Sequence, residues 1–207
     1  MRMTFAFILC LLPQLSFACQ QVELTALSKA WVSRVEPQPF RLIDRDSSQA
    51  LKLAGVKIVD AKGAEDLIQR LGAQGYQLTS GAKLTDRHDQ LWVYAWTDQG
   101  ADKALLNAEL VKAGVAVAWP RHGLDECQNT LSKSEHIARE KRLGIWARGW
   151  PYLAKRPAAL EALPPGSFVV VEGKVLRAEK HSKLAYINFG SNYRTDTSAR
   201  IPRNRLK

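Results

Sequence analysis

Cysteine is scarce in this chain of 207 residues, which contains only three, and its 13 glycines and nine prolines form no repeat. These counts exclude a small disulfide-rich domain and a collagen-like chain. Acidic residues are also few, with 20 Asp and Glu against 30 Lys and Arg, so the net charge is +10. An acid-rich disordered tail is therefore excluded, and a basic protein that suits polyanionic partners is indicated. Hydrophobic residues make up 46% of the chain, enough for a buried core.

The first 18 residues have the pattern of a secretory signal peptide. Arg2 precedes an apolar run from Phe5 to Leu12, and Ser16-Phe17-Ala18 resembles a cleavage site. We expect cleavage after Ala18 and a secreted or periplasmic protein. The apolar run is shorter than the roughly 20 residues that cross a bilayer, and no later stretch approaches that length. No transmembrane segment is therefore predicted.

Cleavage would leave two cysteines, Cys19 and Cys127, and export favours a disulfide between them. Such a bond would close a loop of about 100 residues, for which the chain-entropy model gives a stabilisation of about 4.7 kcal/mol. Two alternatives stay open: a lipid anchor on Cys19, or two free thiols. The anchor is disfavoured because Ser16 stands where lipoproteins carry an aliphatic residue.

Strand patterns begin the mature chain, at Ala30–Val35, Phe40–Ile43 and Leu51–Val59, with a polar turn at 44–48. They predict an antiparallel meander. Gln90–Thr97 carries apolar residues on both faces, which predicts a strand covered on both sides.

Three segments have the apolar spacing of helices and end at glycines: Glu65–Leu71, Asp102–Ala113, and a third from about Ser132 to Leu143. Ser132 and Glu135 match a capping box at the start of the third. These strands and the three helices together predict an α+β domain.

The end of the chain differs in composition. Residues 155–166 read as a linker, and strand patterns resume at Phe168–Leu176 and Leu184–Phe189. Residues 166–207 hold nine Lys and Arg against three acids, or +6, whereas residues 19–165 hold twenty against seventeen, or +3. The predicted organisation is a signal peptide (1–18), a main domain (19–154), a linker (155–166) and a short basic β extension that is an incomplete second β domain (167–207).

Four stretches of the main domain follow one another in a fixed order: Leu51–Val56, Asp86–Tyr94, Leu106–Gly114 and Glu135–Trp146. They resemble V-R-L-x-G-I, D-x-Y-G-R-x-L-A-Y, L-N-x-x-L-V-x-x-G and E-x-x-A-R-x-x-x-x-G-I-W of the staphylococcal-nuclease (thermonuclease) family, and the extension resembles a tail of some exported bacterial members. The resemblance spans residues 27–146. It implies a five-stranded OB-fold barrel with three helices, and calcium-dependent cleavage of DNA and RNA phosphodiesters.

The resemblance also implies two carboxylates that hold calcium, an acid that positions water and two arginines that bind phosphate. The carboxylate positions fall on Gln38 and Lys57, the arginines on Lys52 and Gln90, and the acid on Asp60. An amide and an ammonium group do not replace charged oxygen ligands of calcium, and neither Lys nor Gln has the bidentate fork of Arg. We therefore expect no cofactor, and calcium only if the protein is an active nuclease.

Other acidic and aromatic residues have simpler interpretations. Asp44 and Asp46 are expected to cap a hairpin turn and to face water rather than to bind metal. The aromatic residues of the predicted strand Gln90–Thr97, namely Trp92, Tyr94 and Trp96, are expected in the core rather than on a base-stacking surface.

Lys52, Lys57 and Arg87 are candidates for binding phosphate in the active-site cleft that the resemblance implies, although scattered surface charges are an equally good interpretation. The basic residues at the end of the chain, among them Arg194 and Arg200, suggest a basic arm or simply a solvated tail.

Two functions follow. The first is an exported, monomeric, catalytically impaired nuclease homologue that binds nucleic acid or another polyanion. The alternative is a phosphodiesterase with residual or altered activity, in which Asp60 aids the attacking water and Lys52 holds phosphate. Whether the protein is an enzyme stays open at this point.

Overall fold

The computed structural model describes residues 25–30, 32–37, 40–72, 75–80, 85–86, 88, 90–97, 103–120, 127–192 and 194–202. The predicted signal peptide, Cys19, Gln38 and Arg87 lie outside these residues. The strands are β1 (Thr25–Ala30), β2 (Val32–Pro37), β3 (Phe40–Asp44), β4 (Ala50–Leu53), β5 (Val56–Ile58), β6 (Tyr76–Ser80), β7 (Leu91–Thr97), β8 (Ala116–Ala118), β9 (Tyr152–Leu153), β10 (Val171–Glu172), β11 (Arg177–Lys180), β12 (Leu184–Asn188) and β13 (Ser198–Pro202). The helices are α1 (Ala61–Leu71), α2 (Leu106–Lys112), α3 (Gln128–Glu140), a 3₁₀ helix (Gly144–Ala147) and α4 (Pro157–Glu161).

The main sheet has the strand order β1-β6-β7-β4-β3-β2. Strands β4 and β7 pair in parallel, and the other neighbours in this sheet are antiparallel. The predicted meander is confirmed by the antiparallel pairs β2–β3 and β3–β4. Strands β1 and β2 lie at opposite ends of this order, although only residue 31 separates them along the chain.

The predicted single strand Leu51–Val59 is wrong, because a turn at Ala54–Gly55 divides it into β4 and β5. Gly55 adopts a positive φ of 70°, which glycine reaches without steric cost. After this turn β5 leaves the main sheet and pairs antiparallel with β8.

The core lies on and around β7, as the two-sided apolar pattern predicted. Val93, Tyr94 and Ala95 are fully buried, and Trp92 and Trp96 are partly buried against the same core. The expectation that these aromatic residues belong to the core is confirmed. Helix α2 packs on β7 through the buried Asn107, whose side chain accepts a hydrogen bond from the Ala95 amide (3.1 Å) and donates to the Ala54 carbonyl (2.8 Å).

The helices begin at different residues than predicted. Helix α1 starts four residues earlier, at Ala61, because the Asp60 side chain accepts a hydrogen bond from the Gly63 amide and caps it. Helix α2 begins only at Leu106. The predicted capping box of the third helix is wrong, since Ser132 lies inside α3. Glu135 instead accepts a hydrogen bond from the Ala118 amide (2.7 Å), and so ties α3 to β8.

Residues beyond 150 pack on the main domain. Part of the predicted linker forms α4, and β10 pairs in parallel with β9. Phe168 and Val170 pack against a second apolar cluster that contains Val117, Ala138 and Trp146. Strands β11, β12 and β13 then form an antiparallel sheet of three strands. The domain boundaries stay a prediction, but apolar contacts cross the predicted linker.

Within the part of the chain that the structure describes, no helix combines the length and the apolar character needed to cross a membrane.

Candidate functional site

Lys52, the position of the first phosphate-binding arginine, lies on β4 and is already paired. Its Nζ atom is 2.5 Å from Oδ2 of Asp86, and both side chains are largely buried, with 19% and 12% of their surface exposed. The same ammonium lies 5.4 Å from the centre of the Trp92 ring, its register partner on β7. The positive charge of Lys52 is therefore neutralised by Asp86 within the protein.

Asp86 organises the loop before β7. Its Oδ1 atom accepts hydrogen bonds from the backbone amides of His88 (2.7 Å) and Gln90 (3.1 Å), while Oδ2 accepts from Lys52. Burial alone would raise the pKa of Asp86, but the hydrogen bond and charge of Lys52, together with the two amides, hold the pKa well below its usual range. The structure thus brings Lys52 and Gln90 together around a carboxylate that the sequence argument had not singled out.

Lys57, which stands where a calcium-binding carboxylate was expected, lies on β5 with an exposed side chain. Its Nζ atom is 5.8 Å from the centre of the Phe168 ring, a cation–π contact. Lys52 and Lys57 have different partners among the described residues. Their joint phosphate pocket, which was also to include Arg87, stays a prediction.

Asp60, the position of the water-positioning acid, is engaged on both carboxylate oxygens. Oδ1 caps α1 by accepting from the Gly63 amide (3.0 Å), and Oδ2 is 3.1 Å from Nη2 of Arg148. The ion pair joins the start of α1 to the turn after the 3₁₀ helix. Through the helix cap and the ion pair, this carboxylate stabilises the fold. The capping role was predictable from the sequence because Asp is a preferred N-cap residue.

The described residues do not fit calcium. Among them, no group of three or more His, Cys, Asp and Glu side chains lies close enough together to hold a metal ion. Calcium takes six to eight oxygen ligands. In this region Lys57 carries a positive charge, Asp86 is paired with Lys52, and Asp60 is paired with Arg148. Asp44 accepts hydrogen bonds from the Ser47 amide and hydroxyl in the β3–β4 turn, which confirms its role as a turn cap. The expectation that Asp44 faces water is wrong, because the residue is only 8% exposed. Asp46 pairs with Arg45 in the same turn.

A cluster of aromatic rings beside Lys57 was not predicted. Phe168 contacts Trp119 (4.9 Å between ring centres) and Trp150 (6.2 Å), and Trp150 also contacts Trp146 and Tyr152. Tryptophan is frequent between residues 119 and 150, which was the available signal. The sequence does not reveal that Phe168 returns from beyond the predicted linker to join them.

The fold is an α+β domain. The described positions expected to be catalytic carry two lysines, a glutamine and Asp60, whose carboxylate is paired with Arg148. Residues 59–148 match the family model described as Staphylococcal nuclease homologue. This match supports a staphylococcal-nuclease-like domain in that part of the chain, with the OB-fold type of α+β architecture, and suggests nuclease activity or nucleic-acid binding. The match includes Asp60 and Gln90 and begins after Lys52 and Lys57. A search of curated proteins found no match to the chain.

Proposed function

We propose that this protein is an exported, catalytically impaired member of the staphylococcal nuclease family that binds nucleic acid or another polyanion as a monomer. The observation that carries the proposal is the ion pair between Lys52 and Asp86. It commits the cation at a phosphate-binding position to a neighbouring carboxylate.

Loss of catalysis follows from charge. Phosphodiester cleavage needs preorganised positive groups where negative charge develops, and removing one such donor typically costs about 10² to 10³ in rate. Here Lys52 is paired, Gln90 is neutral, and Asp60 is held by α1 and Arg148. The Lys57 ammonium would repel a divalent cation from a ligand position. Several losses of this size would leave little activity.

Polyanion binding is supported by the family match and by the net charge of residues 19–207, which is +9 (+3 for residues 19–165 and +6 for residues 166–207). A basic surface attracts phosphate backbones over the range of the Debye length, independently of a catalytic site.

A closed OB barrel of five strands is also part of the proposal. If β1 and β2 are the two halves of one bent strand, the six strands of the sheet order reduce to five, and this bent strand would join both ends of the sheet. The single residue between them supports this arrangement.

Export and a Cys19–Cys127 disulfide complete the proposal. Cys127 is 1% exposed at the start of α3, while Cys19 lies outside the described residues. Non-reducing peptide mapping of the exported protein should find the linked peptides.

The deciding experiment is hydrolysis of single-stranded DNA by purified residues 19–207, with calcium and with a chelator. We expect no cutting in either condition, and binding that weakens steeply with salt. The Asp60→Asn variant is a suitable control because Asn caps helices as well as Asp does. Calcium-dependent cutting that this variant abolishes would overturn the impairment. Binding that does not respond to salt would overturn the polyanion function.

A residual phosphodiesterase remains the second candidate, favoured by the family match across Asp60. It predicts that Asp60→Asn and Lys52→Ala both lower any cleavage that is observed. Cleavage unchanged in both variants would identify a contaminating nuclease.

A further inference from the structure

The three-stranded sheet at the end of the chain presents a polar face built by its register. Tyr186 on β12 lies opposite Glu179 on β11 and opposite Arg200 on β13. One step along the same face, Asn188 lies opposite Arg177 and Ser198. Residues paired across antiparallel strands project to the same side. Tyr186 therefore occupies the middle of a face with charged residues on both neighbouring strands.

A groove of about 510 Å³ opens on this face. This volume falls within the about 300–1,000 Å³ that sites for small ligands occupy. Its lining combines two rings with hydrogen-bonding groups and one lysine: Glu179, His181, Ser182, Lys183, Leu184, Tyr186, Asn188 and Ser198.

The charge of the groove is positive once its ion pairs are counted. Glu179 is paired with Arg177 and lies 3.4 Å from Nε2 of His181, so its negative charge is compensated within the sheet. Lys183 and Arg200 are exposed, and neither has an ion pair among the residues that the structure describes. Two cations therefore stand beside the groove with their charge available to a ligand.

The rings give the groove a second property. His181 and Tyr186 meet edge to face, with 5.4 Å between ring centres. The imidazole contact holds the partly buried Tyr186 ring on the face. Aromatic rings on a sheet flanked by Lys and Arg are the combination with which proteins bind single strands, because bases stack on the rings while cations contact the phosphates.

We propose that this groove binds single-stranded nucleic acid, with one base against Tyr186 and the neighbouring phosphates near Lys183 and Arg200. The proposal rests on the polyanion binding proposed above and places its contact site on β11–β13, not on the former catalytic positions. Ring stacking requires an unpaired base, so double-stranded DNA and polyanions without bases should bind more weakly than oligo(dT).

The test is fluorescence anisotropy with labelled oligo(dT) and full-length mature protein. Tyr186→Ala should weaken binding about tenfold or more, whereas Tyr186→Phe, which keeps the ring, should bind as the unmodified protein does. Arg200→Gln should weaken binding and reduce the salt slope by about one. Lys133→Gln, which removes an equal charge from the exposed face of α3, is the matched control and should have a much smaller effect.

Each result decides between the two proposals. No binding by the unmodified protein would contradict polyanion binding itself. Binding that Tyr186→Ala and Arg200→Gln leave unchanged would overturn the groove alone, as would equal affinity for polyphosphate of the same charge. Because Tyr186→Ala could unfold the small sheet, circular dichroism accompanies each variant. If it does unfold, competition by duplex DNA and polyphosphate against oligo(dT) decides in its place, and equal competition overturns the proposal.

Discussion

Asn107 is a single polar residue that joins three parts of the core. It is fully buried in the first turn of α2. Its side-chain amide forms hydrogen bonds with Ala95 on β7 and with Ala54 in the turn after β4. Burying such a polar side chain costs little free energy while it is hydrogen-bonded. Removing it leaves backbone groups buried without partners, which is destabilising.

Asn107→Ala should therefore lower the free energy of unfolding by about 3 kcal/mol, because the Ala95 amide and the Ala54 carbonyl both lose their side-chain partner. Urea denaturation measures the change. The control is Gln69→Ala on exposed α1 surface, which should stay within about 0.5 kcal/mol. An equal effect of both variants would contradict the role given to Asn107.

Asp86 makes stability depend on acid. Its folded-state pKa lies below the unfolded value of about 3.9. The carboxylate thus stabilises the fold above about pH 4, and this contribution is lost as pH falls from there towards the folded-state pKa. Asp86→Asn should be less stable at neutral pH and lose less stability between about pH 4 and pH 2. Thermal unfolding across pH tests this, with Asp46→Asn, 62% exposed, as the control. Identical acid profiles for Asp86→Asn and the unmodified protein would rule the contribution out.

At the scale of elements, a close backbone approach joins the end of α2 to the 3₁₀ helix. Gly114 and Gly144 both have positive φ, and a Cβ on either would overlap the other segment's backbone: Leu143 for Gly114, and Gly114 for Gly144. The Ile145 amide donates to the Gly114 carbonyl at 2.9 Å. Two glycines in contact let these segments share a hydrogen bond.

Gly114→Ala should cost about 3 kcal/mol of stability or more, since backbone overlap adds to the left-handed φ of 70°. Gly166→Ala is the matched control. It has a φ of 84° and no atom within 4 Å of its added Cβ, so only the cost of its conformation, about 1–2 kcal/mol, applies. Guanidinium denaturation separates the two. If both variants lose the same stability, the close approach contributes nothing.

At the scale of the whole molecule, Phe168 connects the end of the chain to the main domain. It contacts Trp119, Trp150 and Lys57, all of which precede the predicted linker. The end of the chain therefore contributes to the stability of the domain before it.

Phe168→Ala should lower stability by about 2 kcal/mol, roughly half the cost expected for a fully buried ring. It should also shift tryptophan emission to the red, because Trp119, already 39% exposed, loses its covering ring. Leu176→Ala, at a site 56% exposed, is the apolar control. Emission and stability that match the unmodified protein would show that Phe168 does not support the domain.

The hydrophobic pattern of the sequence predicted those helices and strands that are determined by neighbouring residues. Two-sided hydrophobicity identified β7, and helical spacing identified α1, α2 and α3. The start of α3 was predicted wrongly because Ser132 and Glu135 match the sequence of a capping box. In the structure Glu135 accepts a hydrogen bond from the Ala118 amide on β8 instead. The candidate positions followed from motif order, and Asp86 lay inside a quoted motif. Its pairing with Lys52, and that of Asp60 with Arg148, joins residues 34 and 88 apart, which periodicity cannot detect.

The parallel pair β4–β7 governs the order in which the sheet is completed. Leu51 aligns with Leu91, so this pair closes across residues that are distant in the chain, whereas β2, β3 and β4 pair between immediate neighbours. Closing a long loop costs entropy before any contact repays it. The local meander should therefore form first during folding, and β7 should join it late. During synthesis, β2, β3 and β4 all leave the ribosome before β7, so the meander has time to pair before the central strand of the core is available.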